Sequence, residues 1–278
     1  MKKTILFESF WFFLAQILGI LADQKISSQV LKRGERIIKI SPSNFSLLNF
    51  FIAFSLVAIL LLLILKFKKG QNIFFKLIFL LVVILGGEIF LENWLPTYVS
   101  LPILACLIFA WFRFSFVWIH NLLLILGIAG IGSMVGISLS PLFIIYLFSF
   151  VAIYDFIAVY KLNLTQKVAK SMVDSRALLG IIIPSTFNDF QKKITEIKLG
   201  DEKENFLILG GGDIIFPLML SSSVIFEGLE KSLIIAIFSL LGLVFSYWLF
   251  LKLDKKPMPA LPPLLLFCLI GYLFTFYI

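Results

Sequence analysis

Runs of about 20 apolar residues recur along this chain, and each is long enough to cross a bilayer as an α-helix. Hydrocarbon offers no partner for a backbone N–H or C=O, so segments of this kind satisfy their hydrogen bonds internally, as helices that pack into a bundle. Nine runs qualify: 4–23, 44–65, 73–95, 98–117, 119–138, 141–160, 206–226, 232–251 and 259–278. The expected fold class is an all-α polytopic membrane protein with nine transmembrane helices. Composition agrees: 60% of residues are hydrophobic and 14% charged, against roughly 45–50% and 25% in soluble domains. The opening run, "MKKTILFESFWFFLAQILGILADQ", lacks a small-x-small cleavage site and is interrupted by Glu8 and Gln16. It reads as a first span rather than a leader. Spans four and five are parted only by "RFSFVWIHN".

The net charge of +8 does not point to nucleic acid. The basic residues sit in short connections between apolar runs, where membrane topology accounts for them. With the N-terminus inside, 18 of the 24 Lys and Arg residues fall on the cytoplasmic side. Five of the other six lie in 24–43, which reads as an amphipathic segment on the membrane surface. The expected orientation is N-in, C-out. Cys106, Cys268 and the lone His120 make neither a disulfide framework nor a metal cluster. No metal and no cofactor are expected. The chain divides into a six-helix part (1–160), a polar loop (161–205) and a three-helix part (206–278).

Four acids fall within spans: Glu8, Glu88, Asp155 and Asp213. Each costs about 2.5–3.5 kcal/mol at membrane depth on insertion scales, so such residues face polar interiors and serve a function. Glu8 lies near a helix end, where an interfacial role suffices. Glu88 fits either a helix-packing acid with a polar partner or a cavity-facing group. Asp155 and Asp213 differ because their depths match. One sits roughly 8 Å before the end of span six, the other roughly 10 Å after the start of span seven, at about 1.5 Å per residue. Two carboxyls in one shielded site cannot both ionise readily, so one holds a proton while the other is charged. Such a pair can activate a water against a peptide carbonyl and protonate the product. It can equally relay protons in a transporter or channel, and the pairing alone does not decide.

The neighbouring residues favour an open, irregular site. Gly210, Gly211 and Gly212 remove side chains just before Asp213, and Pro217 removes a backbone donor one turn on. Pro257, Pro259, Pro262 and Pro263 open span nine with a helix-resistant segment. The polar loop holds an apolar island, "ALLGIIIPS" (177–185), whose Ile181, Ile182 and Ile183 have strand propensity. It reads either as a short stretch resting on the membrane surface or the bundle, or as a strand available to pair with a substrate. Gly132 and Gly136 form a G-x-x-x-G spacing, read as helix packing.

Three motifs together carry a family resemblance. "YDFIAVY" (154–160), "GGGD" (210–213) and "PALP" (259–262) resemble, in order and on their expected spans, the Y-D, G-x-G-D and P-A-L signatures of presenilin-type intramembrane aspartyl proteases. Within the presenilin and signal peptide peptidase family, the resemblance is to prokaryotic presenilin homologues. It implies a presenilin-like fold, with Asp155 and Asp213 as the catalytic pair. Pro259, Ala260 and Leu261 would shape the site and dock substrate, with Tyr154, Gly210 and Gly212 supporting its geometry. Gly211 stands where presenilins commonly carry Leu, so specificity does not transfer. The implied partners are transmembrane-helix substrates within the lipid bilayer of a prokaryotic cell, with the enzyme working alone or as a homo-oligomer. Substrate pairing is expected at 177–185 and near 257–259, and Ile182→Pro is expected to impair cleavage without unfolding the protein. A prepilin peptidase, which also carries G-x-G-D, typically has Lys where this chain has Ile215. A non-catalytic scaffold for membrane helices is the remaining alternative, and the presence of both Asp residues argues against it.

Overall fold

The computed structural model describes residues 2–33, 39, 68–160, 172–173, 175–196, 206–253 and 258–278. Among them, eight α-helices and a two-stranded sheet follow in order: α1 (Lys2–Arg33), α2 (Lys68–Leu91), α3 (Thr97–Phe114), α4 (Val117–Ser138), α5 (Pro141–Tyr160), β1 (Gly180–Pro184), β2 (Phe206–Gly210), α6 (Gly211–Ser223), α7 (Leu229–Lys252) and α8 (Leu261–Phe274). Six helices, α1 to α5 and α7, are long and apolar enough to cross a membrane, and α8 is a shorter apolar helix. The span expected at 44–65 lies outside the described residues.

Three boundaries differ from the hydropathy reading. The first helix runs on to Arg33, ten residues past the expected end at 23. This carries Asp23 inside the helix, where it is fully buried. The boundary between the fourth and fifth expected spans is sharp. Ser115 takes a left-handed φ of 51° and closes α3. The chain around it then pairs with the loop: Val117 N–H donates to Lys192 O at 3.1 Å, and Ile194 N–H to Ser115 O at 2.9 Å. The seventh expected span is not one helix. Its first five residues, Phe206–Gly210, form β2, and the helix starts at Gly211. The extended pairing with β1 gives Leu207 and Leu209 hydrogen-bond partners that a helix would otherwise supply.

α4 occupies the centre. It is apolar around its whole circumference, as a fully enclosed helix should be, and most of its residues are buried. On one side it meets α2 backbone to backbone, where Gly86 faces Gly127 and Gly130 and a Cβ at any of the three would strike the opposite main chain. On the other side a Cβ at Gly136 would lie 2.6 Å from Met219 O of α6. The G-x-x-x-G spacing therefore does serve packing. Between α2 and α3, the Ser100 hydroxyl donates to Glu88 Oε1 at 2.5 Å, so Glu88 is a helix-packing acid with a polar partner.

The apolar residues of the described part of the 161–205 loop are built into the core, with polar side chains such as Arg176 and Asn188 left exposed. Ala177, Leu178, Ile181, Ile182, Ile183, Phe190 and Ile194 are buried in the same cluster as Phe148 of α5 and Ile214 of α6.

Candidate active site

Asp155 projects from α5, five residues before its end at Tyr160, and Asp213 lies in the first turn of α6. Both are half-buried, and the two carboxyls are close enough to interact electrostatically. An aromatic pair holds their helices together. The Phe148 and Phe216 rings stack with centroids 5.4 Å apart and planes 22° from parallel. Phe148 sits two turns before Asp155, and Phe216 three residues after Asp213. Tyr154, half-buried, precedes Asp155 on the same helix.

The Asp213 side is shaped by the strand-to-helix transition. Gly210 is the N-cap of α6, and Asp213, third in the helix, turns its carboxyl back to the Gly210 N–H. That contact satisfies a donor the helix leaves unpaired. A Cβ at Gly210 would stand 3.0 Å from Asp213 Oδ2. One at Gly211 would stand 2.9 Å from the Leu179 carbonyl, which itself accepts the Gly211 N–H at 2.8 Å. At Gly212 the nearest atom is the Phe216 ring at 3.9 Å, so there the missing side chain leaves space. Pro217 brings no N–H to the Asp213 carbonyl four residues back.

The Asp155 side is shaped by the start of α8. Pro259 is buried, Ala260 caps the helix and Leu261 begins it. The Leu261 N–H points at Asp155 Oδ2, 3.4 Å away, with the Ala260 N–H also directed at this carboxyl. Pro262 and Pro263 follow. They have no N–H to leave unpaired in a first helical turn, so the donors at this helix start are those turned to Asp155.

β1 and β2 run antiparallel with Ile182 opposite Ile208 and Gly180 opposite Gly210. Ile181, Ile182 and Ile183 are fully buried. The Ile182 N–H donates to Asn121 Oδ1 at 2.9 Å, and the Ile182 carbonyl accepts from Asn121 Nδ2 at 2.7 Å. Gly180 O lies 3.3 Å from His120 Nε2. The edge of β1 away from β2 is therefore occupied by α4 side chains, which corrects the expectation that 181–183 stand available to a substrate strand. By the alternation of an antiparallel ladder, Ile181 and Ile183 face Leu209 and Leu207, while Ile208 turns its backbone groups to the far edge of β2. That edge has no strand partner among the described residues, and it leads through Gly210 to Asp213. Of the expected pairing segment near 257–259, Pro257 lies outside the described residues.

The sequence reading assigned three residues of the site's surroundings no role there. His120 and Asn121 are the fourth and fifth residues of α4, and the only hint was a polar pair near the start of an apolar run. Gln16 of α1 donates from Nε2 to Ile214 O at 2.9 Å, beside Asp213. Glu8, expected to serve at an interface, is buried within the protein, where it interacts electrostatically with Asp213 and Tyr247. Finally, an apolar groove of about 400 Å³ runs between α5 and α8, lined by Ser149, Ala152 and Phe156 on one side and Pro262, Leu265 and Leu269 on the other.

The family described as signal-peptide peptidase, presenilin aspartyl protease matches residues 10–278. The chain belongs to this family. It is thus an intramembrane aspartyl protease, a multi-pass integral membrane hydrolase whose substrates are transmembrane segments in the bilayer. Among solved structures, that of a presenilin family intramembrane aspartate protease superposes with a TM-score of 0.58 at 19% identity, covering 97% of this chain and 95% of that one. The two share a fold. A comparison with curated proteins gives no match.

Proposed function

We propose that Asp155 and Asp213 are the catalytic pair of this protease, hydrolysing peptide bonds within transmembrane segments without metal or cofactor. The observation that carries the assignment is convergence: Asp155, Asp213 and the Ala260–Leu261 amides come from three separate stretches of sequence and meet at one place. The ionised carboxyl takes a proton from a water as its oxygen attacks the scissile carbonyl, while the protonated carboxyl donates to the carbonyl oxygen. A proton then passes to the leaving nitrogen as the C–N bond breaks. The Leu261 amide orients Asp155, and the Gly210 amide orients Asp213.

A helical substrate hides its carbonyls in its own hydrogen bonds, so the scissile region must unwind and find replacement partners. We assign that role to the open edge of β2 at Ile208, next to Asp213, by strand addition. The groove between α5 and α8 supplies a lateral approach from lipid to Asp155, with Pro259, Ala260 and Leu261 forming its inner wall and Gly212 its clearance, while Gly211 packs against the Leu179 carbonyl. The nine-span organisation, the division at 160 and 205, the N-in, C-out orientation and a prokaryotic presenilin-type membership belong to the same proposal. The charge asymmetry supports the orientation.

The test is cleavage of a single-span peptide by the purified protein in liposomes, read by mass spectrometry. Cleavage at a bond inside the span is expected. Ion flux without cleavage would favour the transporter alternative. Ile208→Pro then tests the strand addition. Its N–H faces away from β1, so the change spares the ladder. Lost cleavage in a folded variant is expected, and unchanged cleavage would reject it. Ile182→Pro is unsuitable, because it would remove the donor to Asn121.

A further inference from the structure

The two α4 residues that close β1 do more than fill space. Asn121 and His120 are both fully buried. The Asn121 carboxamide meets Ile182 with a donor and an acceptor at 2.7 and 2.9 Å, the same pairing a neighbouring strand would offer. His120 is held against the Phe79 ring, with centroids 4.8 Å apart and planes 6° from parallel, while its Nε2 faces Gly180 O. Together they fix Gly180 and Ile182, the residues opposite Gly210 and Ile208. From Gly210 the chain passes without a turn into α6 and reaches Asp213 three residues later. β1, fixed to α4 by these contacts, thereby holds the lie of β2 just before the catalytic carboxyl.

We infer that Asn121, supported by His120, is a positioning residue that selects which substrate bond is cut. It closes the outer edge of β1, so that an extended substrate can add only to β2. It also holds β1 in one register, so that β2 presents one alignment of the substrate to Asp213. The inference rests on the substrate pairing with β2 proposed above. A strand that slips by one residue moves by about 3.3 Å and reverses its faces, enough to bring a different bond to the pair. Without the carboxamide, both Ile182 backbone groups lose their partner, and β1 is left with the weaker His120–Gly180 contact and the Gly211 N–H to Leu179 O at its two ends.

The experiment compares full-length wild type, Asn121→Leu and Asn121→Asp on the same single-span peptide in liposomes. Product ends are identified by mass spectrometry, kcat and KM are measured separately, and Tm is recorded. The expected result for Asn121→Leu is product ends spread to bonds one or two residues either side of the wild-type site. Its kcat should fall about tenfold, and KM should change less than twofold. Asn121→Asp keeps an acceptor for the Ile182 N–H, so its product pattern should lie between the other two. If Asn121→Leu fails to unfold cooperatively, Asn121→Asp decides by the same product ends. A slower variant with unchanged product ends has lost structure only, and that result overturns the inference. Cleavage that needs Ile208 but is indifferent to Asn121 overturns it alone. Cleavage unaffected by Ile208→Pro overturns the β2 pairing and the inference with it.

Discussion

The Leu261 amide and Asp155 Oδ2 lie 3.4 Å apart, joining residues 106 positions distant in sequence. The contact explains the run of prolines at this helix start. Pro262 and Pro263 contribute no N–H, so the donors that remain, from Ala260 and Leu261, can both turn to the carboxyl.

Leu261→Pro should therefore separate orientation from folding. Proline is tolerated in a first helical position, so the helix should form, but Asp155 loses a donor. A hydrogen bond to a charged group is worth about 1.5–3 kcal/mol, and the length of this one places it at the weak end. Cleavage should fall about tenfold while the helical signal is retained. An unchanged rate would remove the Leu261 amide from the mechanism.

The two glycines before Asp213 should respond differently. A Cβ at Gly211 meets the Leu179 carbonyl at 2.9 Å, and that backbone atom is fixed by its own hydrogen bond. Gly211→Ala should destabilise by about 1–3 kcal/mol, the usual range for overpacking. Gly212→Ala has clear space and should leave Tm unchanged. Any activity it loses then reports a substrate filling that space. Thermal unfolding of both variants beside cleavage rates checks the contrast.

Phe148 is fully buried and stacks on Phe216 between the two Asp-bearing helices. Phe148→Ala should cost about 3–5 kcal/mol. A double-mutant cycle with Phe216→Ala should show coupling of about 0.5–1.5 kcal/mol for the ring pair. Coupling near zero would mean that the stack does not hold the helices together.

What could be seen in the sequence followed from how local each constraint is. Six helices were visible because lipid forces the backbone of an apolar run to bond within itself, and the two acids were visible because charge in such a run is costly. β2 was hidden: "FLILG" continues an apolar run into α6, and five apolar residues carry no period that separates strand from buried helix. The partner that makes it a strand lies across the loop, at Gly180–Pro184. Ile181–Ile183 could be recognised as strand-prone, but not as closed on one edge, since Asn121 is 61 residues away. Asp23, the last residue of the expected first span, is not counted among the acids within spans, whereas α1 runs on to Arg33 and buries it.

Outside the spans, Asp189 accepts from Thr186 Oγ1 at 2.7 Å and pairs with Lys192 Nζ at 2.7 Å. Lys192 holds its carboxyl below the usual carboxylate range. A depressed folded-state value means that stability is present above the unfolded value, near 3.9, and is lost as pH falls through the folded one. Asp189→Asn should lower Tm slightly at neutral pH, because Lys192 is exposed and the pair is screened. The gap from wild type should close on acidification below about pH 4. A gap that persists there would assign the effect to the Thr186 hydrogen bond alone.

The central claim is that Asp155 and Asp213 act together, and replacing each with Asn in the full-length protein tests it most directly. With a single-span peptide in liposomes, wild type should release two products from a bond within the span. Asp155→Asn and Asp213→Asn should each abolish them while keeping a cooperative unfolding transition. Cleavage at the same bond by either folded variant would contradict the account.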